Sequence, residues 1–241
     1  MELTLSKCFR SPYKATVAFI ALTVACLIAA SANGEQAWAL RESGTSSELH
    51  SVSFTPNGQQ GWAVGFGGTI LATTNGGQTW VPQASGTSNE LHSVSFTPDG
   101  QNGFAVGFGG TILAATNGGQ TWVKQESATP NELYAVSIAS GGRYGWIVGF
   151  DGTILSTTNG GKIWAPQVSG TSNELRSVSF TSDGQIGWAV GFGGAILSTT
   201  NGGKTWLKQE SGTSSELHSV SITQNGRYGW AVGFGGTIIN N

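Results

Sequence analysis

Two aromatic series with one common step predict an all-β chain, a five-bladed β-propeller of four-stranded antiparallel blades. Trp38, Trp80, Trp122, Trp164 and Trp206 stand 42 residues apart, and Trp62, Phe104, Trp146, Trp188 and Trp230 keep the same step. Together the two series hold all nine tryptophans. A period of this length, with aromatic and Gly-rich landmarks, marks one small sheet repeated around an axis. A third observation concerns the ends of the series. The last repeat stops inside its third strand at 237–241, whereas residues 36–40 match a fourth strand. The N-terminal strand is therefore expected to complete the last blade and close the ring, covering edges that otherwise invite association. Residues 36–241 form the propeller on this reading, as a closed monomer. A longer propeller, or closure through an oligomer, is the rival.

Each element of the repeat has its own reason, with residues 90–128 as the type unit. Residues 90–97 (ELHSVSFT) alternate with period two and read as the first strand. Pro98-Asp99-Gly100 turns the chain, since Asp-Gly favours the positive φ angles of a tight hairpin. Residues 104–108 (FAVGF) make the second strand, with large side chains on one face and alanine and glycine on the other. Gly109-Gly110 leads into the third strand, 111–115, and Asn117-Gly118-Gly119 into the fourth, 121–125.

The first forty residues stand outside the repeat. Lys7, Arg10 and Lys14 precede an apolar run over 15–30, and Ala30-Ser31-Ala32 supplies small residues at signal-peptidase spacing. Residues 1–32 read as a signal peptide, with an uncleaved anchor as the alternative because the apolar run is long. The chain is then exported to a periplasm, thylakoid lumen or extracellular space, or tethered to a membrane by its leader. Both cysteines, Cys8 and Cys26, lie in the leader, so the propeller has no disulfide and no thiolate metal site. Removing the leader leaves eight of the eleven basic and twelve of the thirteen acidic residues, a net charge of −4. That balance argues against non-specific binding to nucleic acid or to an anionic membrane.

The stretch 73–80 (TTNGGQTW) resembles the Asp-box, or bacterial neuraminidase repeat, of the form [ST]-x-D-x-G-x-[ST]-W. It returns at 157–164 and 199–206, and at 115–122 with alanine in the opening position. Asparagine replaces aspartate each time; both accept hydrogen bonds from the turn backbone and both tolerate the left-handed conformation. With residues 61–71 (GWAVGFGGTIL) before it, the unit resembles the repeat of the photosystem II stability and assembly factor family. The resemblance spans all five repeats. It implies an exported, non-catalytic propeller that binds newly made membrane-protein subunits. Family members have seven blades and an arginine-rich interaction surface, whereas Arg41, Arg143, Arg176 and Arg227 stand here on different repeats.

Sialidases share the Asp-box, but their chemistry needs an arginine triad, a tyrosine nucleophile with its glutamate, and an acid converging at one face. Near-identical repeats carry no such asymmetric cluster, so no enzyme, catalytic residue, metal or cofactor is expected. A multivalent sugar-binding propeller is the alternative to a protein-binding one, because repeated weak sites gain from multivalency. Glu48, Glu90, Glu132, Glu174 and Glu216 recur just before each first strand, a carboxylate ring at one channel mouth. Its first reading is structural, each glutamate accepting N–H bonds from the adjacent blade's loop; the second is a hard-cation site. His50, His92 and His218 share a position with Tyr134 and Arg176, which speaks against a shared metal site. The repeats differ at Arg143-Tyr144 and Arg227-Tyr228, which replace Gln and Asn in the loop between the first two strands, and at Asp151. Arginine beside tyrosine on an exposed loop is the composition of an interface hot spot, so these five residues are the expected partner-binding positions.

Overall fold

A computed structural model describes residues 38–241; the leader, with its cleavage site and cysteines, and residues 36 and 37 lie outside the described residues. Every described sheet lies within the unit Glu42–Asn241.

Blade 1 comprises β1 (Leu49–Phe54), β2 (Gly61–Gly65), β3 (Ile70–Thr73) and β4 (Val81–Gln83). Blade 2 repeats the order with β5 (Leu91–Phe96), β6 (Gly103–Gly107), β7 (Thr111–Ala115) and β8 (Val123–Gln125). Blade 3 has β9 (Leu133–Ile138), β10 (Gly145–Gly149), β11 (Ile154–Thr157) and β12 (Ala165–Gln167). Blade 4 has β13 (Leu175–Phe180), β14 (Gly187–Gly191), β15 (Ile196–Thr199) and β16 (Leu207–Gln209). Blade 5 holds β17 (Leu217–Ile222), β18 (Gly229–Gly233) and β19 (Thr237–Asn240). Each sheet is an antiparallel meander in sequence order, four-stranded in blades 1–4 and three-stranded in blade 5. Residues 38–40 form no strand, so the closing strand expected from the N-terminal segment is not among the described pairings.

The register of every blade slips once, where the first strand begins: Leu91 opposes Gly107, but Ser93 opposes Val106. The slip presses the Glu90 carbonyl against the Cα of Gly107, where a Cβ would collide with backbone. Glycine is obligatory there, and the same contact recurs between Glu48 and Gly65 and between Glu174 and Gly191.

The core lies between blades. The forward side of blade 1 (Trp62, Val64, Ile70) packs against the rear of blade 2 (Leu91, Val94, Phe96) in one buried cluster. Trp62 stacks on Phe96 with centroids 3.5 Å apart, and Trp146 on Phe180 at 3.6 Å. Trp122 then meets Phe96 edge-on at 5.6 Å. Such aromatic pairs add about 0.5–1.5 kcal/mol each beyond the area they bury. The first strands of successive blades pack on one another and are innermost. Their free edges are satisfied by hydroxyls: Val94 N–H donates to Ser51 Oγ (3.2 Å), Val136 to Ser93 (3.2 Å) and Val220 to Ser177 (3.2 Å). Blade 3 has Ala135 in that place.

The two ends of this stack are bare. Ile238 is 74% exposed, where its equivalent Ile70 is 1% exposed; Val52 is 59% exposed, where Val94 is 5%. The forward face of blade 5 and the rear face of blade 1 thus keep the residue types that bury every other junction, with no blade of the described residues against them.

Candidate binding faces of the propeller

Strand direction sorts the loops onto two faces. The β1–β2 loop and the β3–β4 turn meet on one, the turn face, where Gly76 N–H donates to Gln59 O (2.9 Å) and Gly160 N–H to Arg143 O (2.9 Å). The β2–β3 turns and the residues just before each first strand meet on the other, where Phe66 N–H donates to Glu48 O (2.9 Å) and Phe108 N–H to Glu90 O (2.9 Å).

The turn face is built by the Asn version of the Asp-box. Thr73 Oγ1 donates to Asn75 Oδ1 (2.9 Å) and accepts from Gly77 N–H (3.1 Å). Asn75 Oδ1 also accepts from Thr79 N–H (3.0 Å), and its Nδ2 donates to Thr79 Oγ1 (2.9 Å). Gly77 has φ +77°, a left-handed angle that the turn requires. Blade 2 keeps only the Asn117–Thr121 half of the network, because Ala115 has no hydroxyl. Trp62 Nε1 donates across the blade boundary to Gly118 O (3.1 Å), and Trp146 Nε1 to Gly202 O (3.0 Å). The boxes of blades 2 and 4 therefore anchor the blade before them, whereas Phe104 has no N–H to offer the box of blade 3.

Arg143, Tyr144, Arg227 and Tyr228 all emerge on this turn face, but not as one cluster. The first pair stands on blade 3 and the second on blade 5, with the blade 4 loop between them. Within each pair the guanidinium lies over the ring, at 5.6 Å for Arg143 and 5.5 Å for Arg227. Arg143 Nε also donates to Thr158 O at 2.9 Å, which fixes its base. A groove of about 390 Å³ between blades 3 and 4 is lined by Tyr144, Asn159, Ile163, Gln185, Asn201 and Lys204, among others. A cleft at the equivalent place between blades 1 and 2 measures about 240 Å³ and carries Gln60 and Gln120. Lys162 and Lys204 sit in the boxes of blades 3 and 4, where blades 1 and 2 have Gln78 and Gln120. Both lysines escaped notice in the sequence, although comparing the boxes residue by residue finds them. Two acids share this face. Asp99 and Asp183 have carboxyls held below the usual range, first by the Thr97 or Thr181 hydroxyl (2.6 Å each) and then by the Gln101 or Gln185 N–H.

Asp151 is on the opposite face, in the turn after β10, apart from the arginine–tyrosine loops. It takes φ +53° where other blades have glycine. It lines an open cleft of about 460 Å³ together with Ala128, the other non-glycine residue of left-handed backbone.

The five glutamates share that face, and their partners differ from the loop N–H groups expected. At three positions the side chain two places after the glutamate reaches the carboxylate of the next blade, whereas the Tyr134 hydroxyl donates to Glu132 of its own blade at 3.4 Å. His50 Nε2 lies 2.8 Å from Glu90 Oε1, and His92 Nε2 lies 2.7 Å from Glu132 Oε1. Arg176 spans Glu174 (2.7 Å) and Glu216 (3.0 Å) while its guanidinium covers the Tyr134 ring at 4.3 Å. Burial, then the Glu132 and Glu174 charges, push the Tyr134 hydroxyl pKa up. The ring is thus a staircase of cross-blade pairs. Glu48, at the rear of blade 1, has His50 at 3.9 Å as its one charged neighbour among the described residues. His218 of blade 5 has Glu216 at 3.7 Å.

Residues 82–169 match the family model described as photosynthesis system II assembly factor YCF48. A solved structure described as YCF48 bound to D1 peptide is 28% identical, with a TM-score of 0.64 over 82% of this chain and 64% of that one. YCF48 from Cyanidioschyzon merolae is 25% identical, with a TM-score of 0.63 over 80% of this chain and 66% of that one. The chain thus spans about two thirds of the length of each. No curated protein matches it.

Proposed function

We propose that this chain, built from the repeats of the YCF48-type photosystem II assembly factor family, is an exported, non-catalytic propeller that binds a segment of a membrane-protein subunit on its turn face. The observation that carries the reading is the likeness to a YCF48 structure bound to D1 peptide, joined to the uneven charge of the turn face. Blades 3–5 place Arg143, Lys162, Lys204 and Arg227 there, with Tyr144 and Tyr228 beside the arginines. Cations next to half-exposed aromatic rings suit a peptide that brings carboxylates and apolar side chains together. Sugar binding has less support, because Trp62, Trp122, Trp146, Trp164 and Trp206 are buried and offer no indole face to a pyranose ring.

Fluorescence anisotropy with a labelled D1 peptide tests this. Replacing Arg143 and Tyr144 together by alanine is expected to weaken binding by about tenfold or more, as loss of a hot spot does, with the melting temperature unchanged. Equal affinity of the variant refutes the site. Peptide released by mixed sugars but not by salt refutes the class of ligand.

The same reading includes a closed ring. Trp188 Nε1 is buried without an acceptor among the described residues, whereas the equivalent Trp62 and Trp146 donate to box glycines of the following blade. In the frame of the repeat, the corresponding box position for blade 5 is Gly34, within the sequence Asn33-Gly34-Glu35-Gln36-Ala37-Trp38. On this reading residues 36–40 supply the fourth strand of blade 5. Trp38→Ala then costs about 3 kcal/mol, as removal of a packed tryptophan does; an unchanged melting temperature overturns closure.

A further inference from the structure

The staircase of cross-blade pairs has one step unlike the rest. Between blades 1 and 2, two imidazoles and a carboxylate converge: one donor atom each from His50, Glu90 and His92, all within 4.8 Å of one another. Glu90 Oε1 lies 2.8 Å from His50 Nε2 and 3.8 Å from His92 Nδ1. Tetrahedral coordination at about 2.0–2.1 Å per bond places neighbouring donors about 3.3 Å apart. The two observed spacings bracket that value. The imidazole rings, 5.7 Å between centroids and inclined at 52°, leave room for an ion between them.

The other nitrogen of each ring makes the argument specific. His92 turns Nδ1 toward Glu90 and has Nε2 2.7 Å from Glu132 Oε1. His50 turns Nε2 toward Glu90 and has Nδ1 3.9 Å from Glu48 Oε1. Metal-binding histidines usually donate their second N–H to a carboxylate or carbonyl, which fixes the tautomer and makes the ligand more basic. His92 is set in that way before any ion arrives, through Glu132; His50 Nδ1, at 3.9 Å, is too far from Glu48 for a hydrogen bond. All three side chains are about two thirds or more buried, so the donors are partly desolvated without being sealed from solvent.

We propose that His50, Glu90 and His92 bind one divalent transition-metal ion of the zinc class, with water in the remaining position. Two nitrogen donors and one oxygen suit zinc, and are too few and too soft a set for calcium. The ion joins β1 to β5 and so ties the end blade to its neighbour. Among the described residues there is one such site. Tyr134 and Arg176 replace the histidine in blades 3 and 4, and His218 has a single carboxylate beside it. This departs from the expectation of a metal-free propeller, which treated each position only within its own repeat.

Calorimetric titration of the chelator-treated full chain with zinc, paired with absorption of its cobalt form, tests the site. The expected result is one equivalent bound, with d–d bands of tetrahedral N/O ligation. Binding is lost in His50→Gln and His92→Gln and kept in His218→Gln. Glu132→Gln, which leaves the ligands intact, weakens binding by about 10–100-fold, so the site is testable even where a histidine variant fails to fold. Absence of saturable binding overturns the proposal. So does binding that survives both histidine variants, or a thiolate-to-cobalt charge-transfer band, which assigns the ion to Cys8 or Cys26.

Discussion

Ala128 is the residue whose replacement should stabilise the protein. It has φ +57°, in a turn where the equivalent Gly86, Gly170 and Gly212 have φ of +71°, +74° and +70°. The turn is otherwise the same: Ser127 Oγ donates to Thr129 O at 2.6 Å, as Ser169 does to Thr171 at 3.0 Å. A Cβ built on Gly86, Gly170 or Gly212 meets nothing within 4 Å, so the methyl group has space and the cost is in the backbone alone. A left-handed L-residue costs about 1–2 kcal/mol. Glycine returns about 0.4–1 kcal/mol of that through the greater freedom of its unfolded chain. Ala128→Gly should therefore gain about 0.8 kcal/mol, or about 2–3 °C in melting temperature for a domain of this size. Gly170→Ala should lose the same amount. Urea titration of both variants reads the two shifts as changes of midpoint at constant slope. If Ala128→Gly is neutral while Gly170→Ala is costly, the strain is absent and the reasoning fails.

Three further outcomes follow from the repeat geometry. Ala115→Thr restores the hydroxyl that Thr73, Thr157 and Thr199 supply in the other boxes, at a site that already buries threonine three times. It should gain about 1 kcal/mol, and a fall in the thermal midpoint counts against it. Gly107→Ala drives a Cβ into the Glu90 carbonyl and should cost more than about 3 kcal/mol; a soluble variant with native melting disproves the close approach. Asp99 and Asp183 have lowered carboxyl pKa values, so the stability they give is full above 3.8 and lost as pH falls through their folded values. Against Asp99→Asn/Asp183→Asn, the wild type should lead at pH 7 and lose that lead below pH 3.8, whereas parallel acid-unfolding curves refute the assignment.

The strands and turns were legible because their causes are local. Alternation over 90–97 and the Asn-Gly-Gly turns fix β5 and the box without reference to any other blade. The forward faces were legible too, since Trp62 and Trp146 can be buried only against the next copy. The staircase was not, because its pairs join residue i to residue i+40, two short of the repeat. A comparison of aligned columns sets His50 beside His92 and never beside Glu90. The two bare faces were hidden for a related reason: Val52 and Val94 are identical in sequence, and only the neighbour in space makes one exposed and the other buried.

Sorting the loops onto two faces also sorts the charge. Glu48, Glu90, Glu132, Glu174, Glu216 and Asp151 lie on one side of the disc with Arg176 as the one arginine among them, and Arg143, Lys162, Lys204 and Arg227 lie on the other, where they outnumber Asp99 and Asp183. The molecule therefore carries an electric dipole along its axis despite its small net charge. Near an anionic bilayer, within about 8–10 Å at physiological salt, the field turns such a disc before it holds it. The glutamate side is repelled and the turn face rotates toward the lipid, where segments of membrane proteins emerge. Orientation then precedes contact, and raising the salt slows the encounter by removing the alignment while the final interface stays as it was.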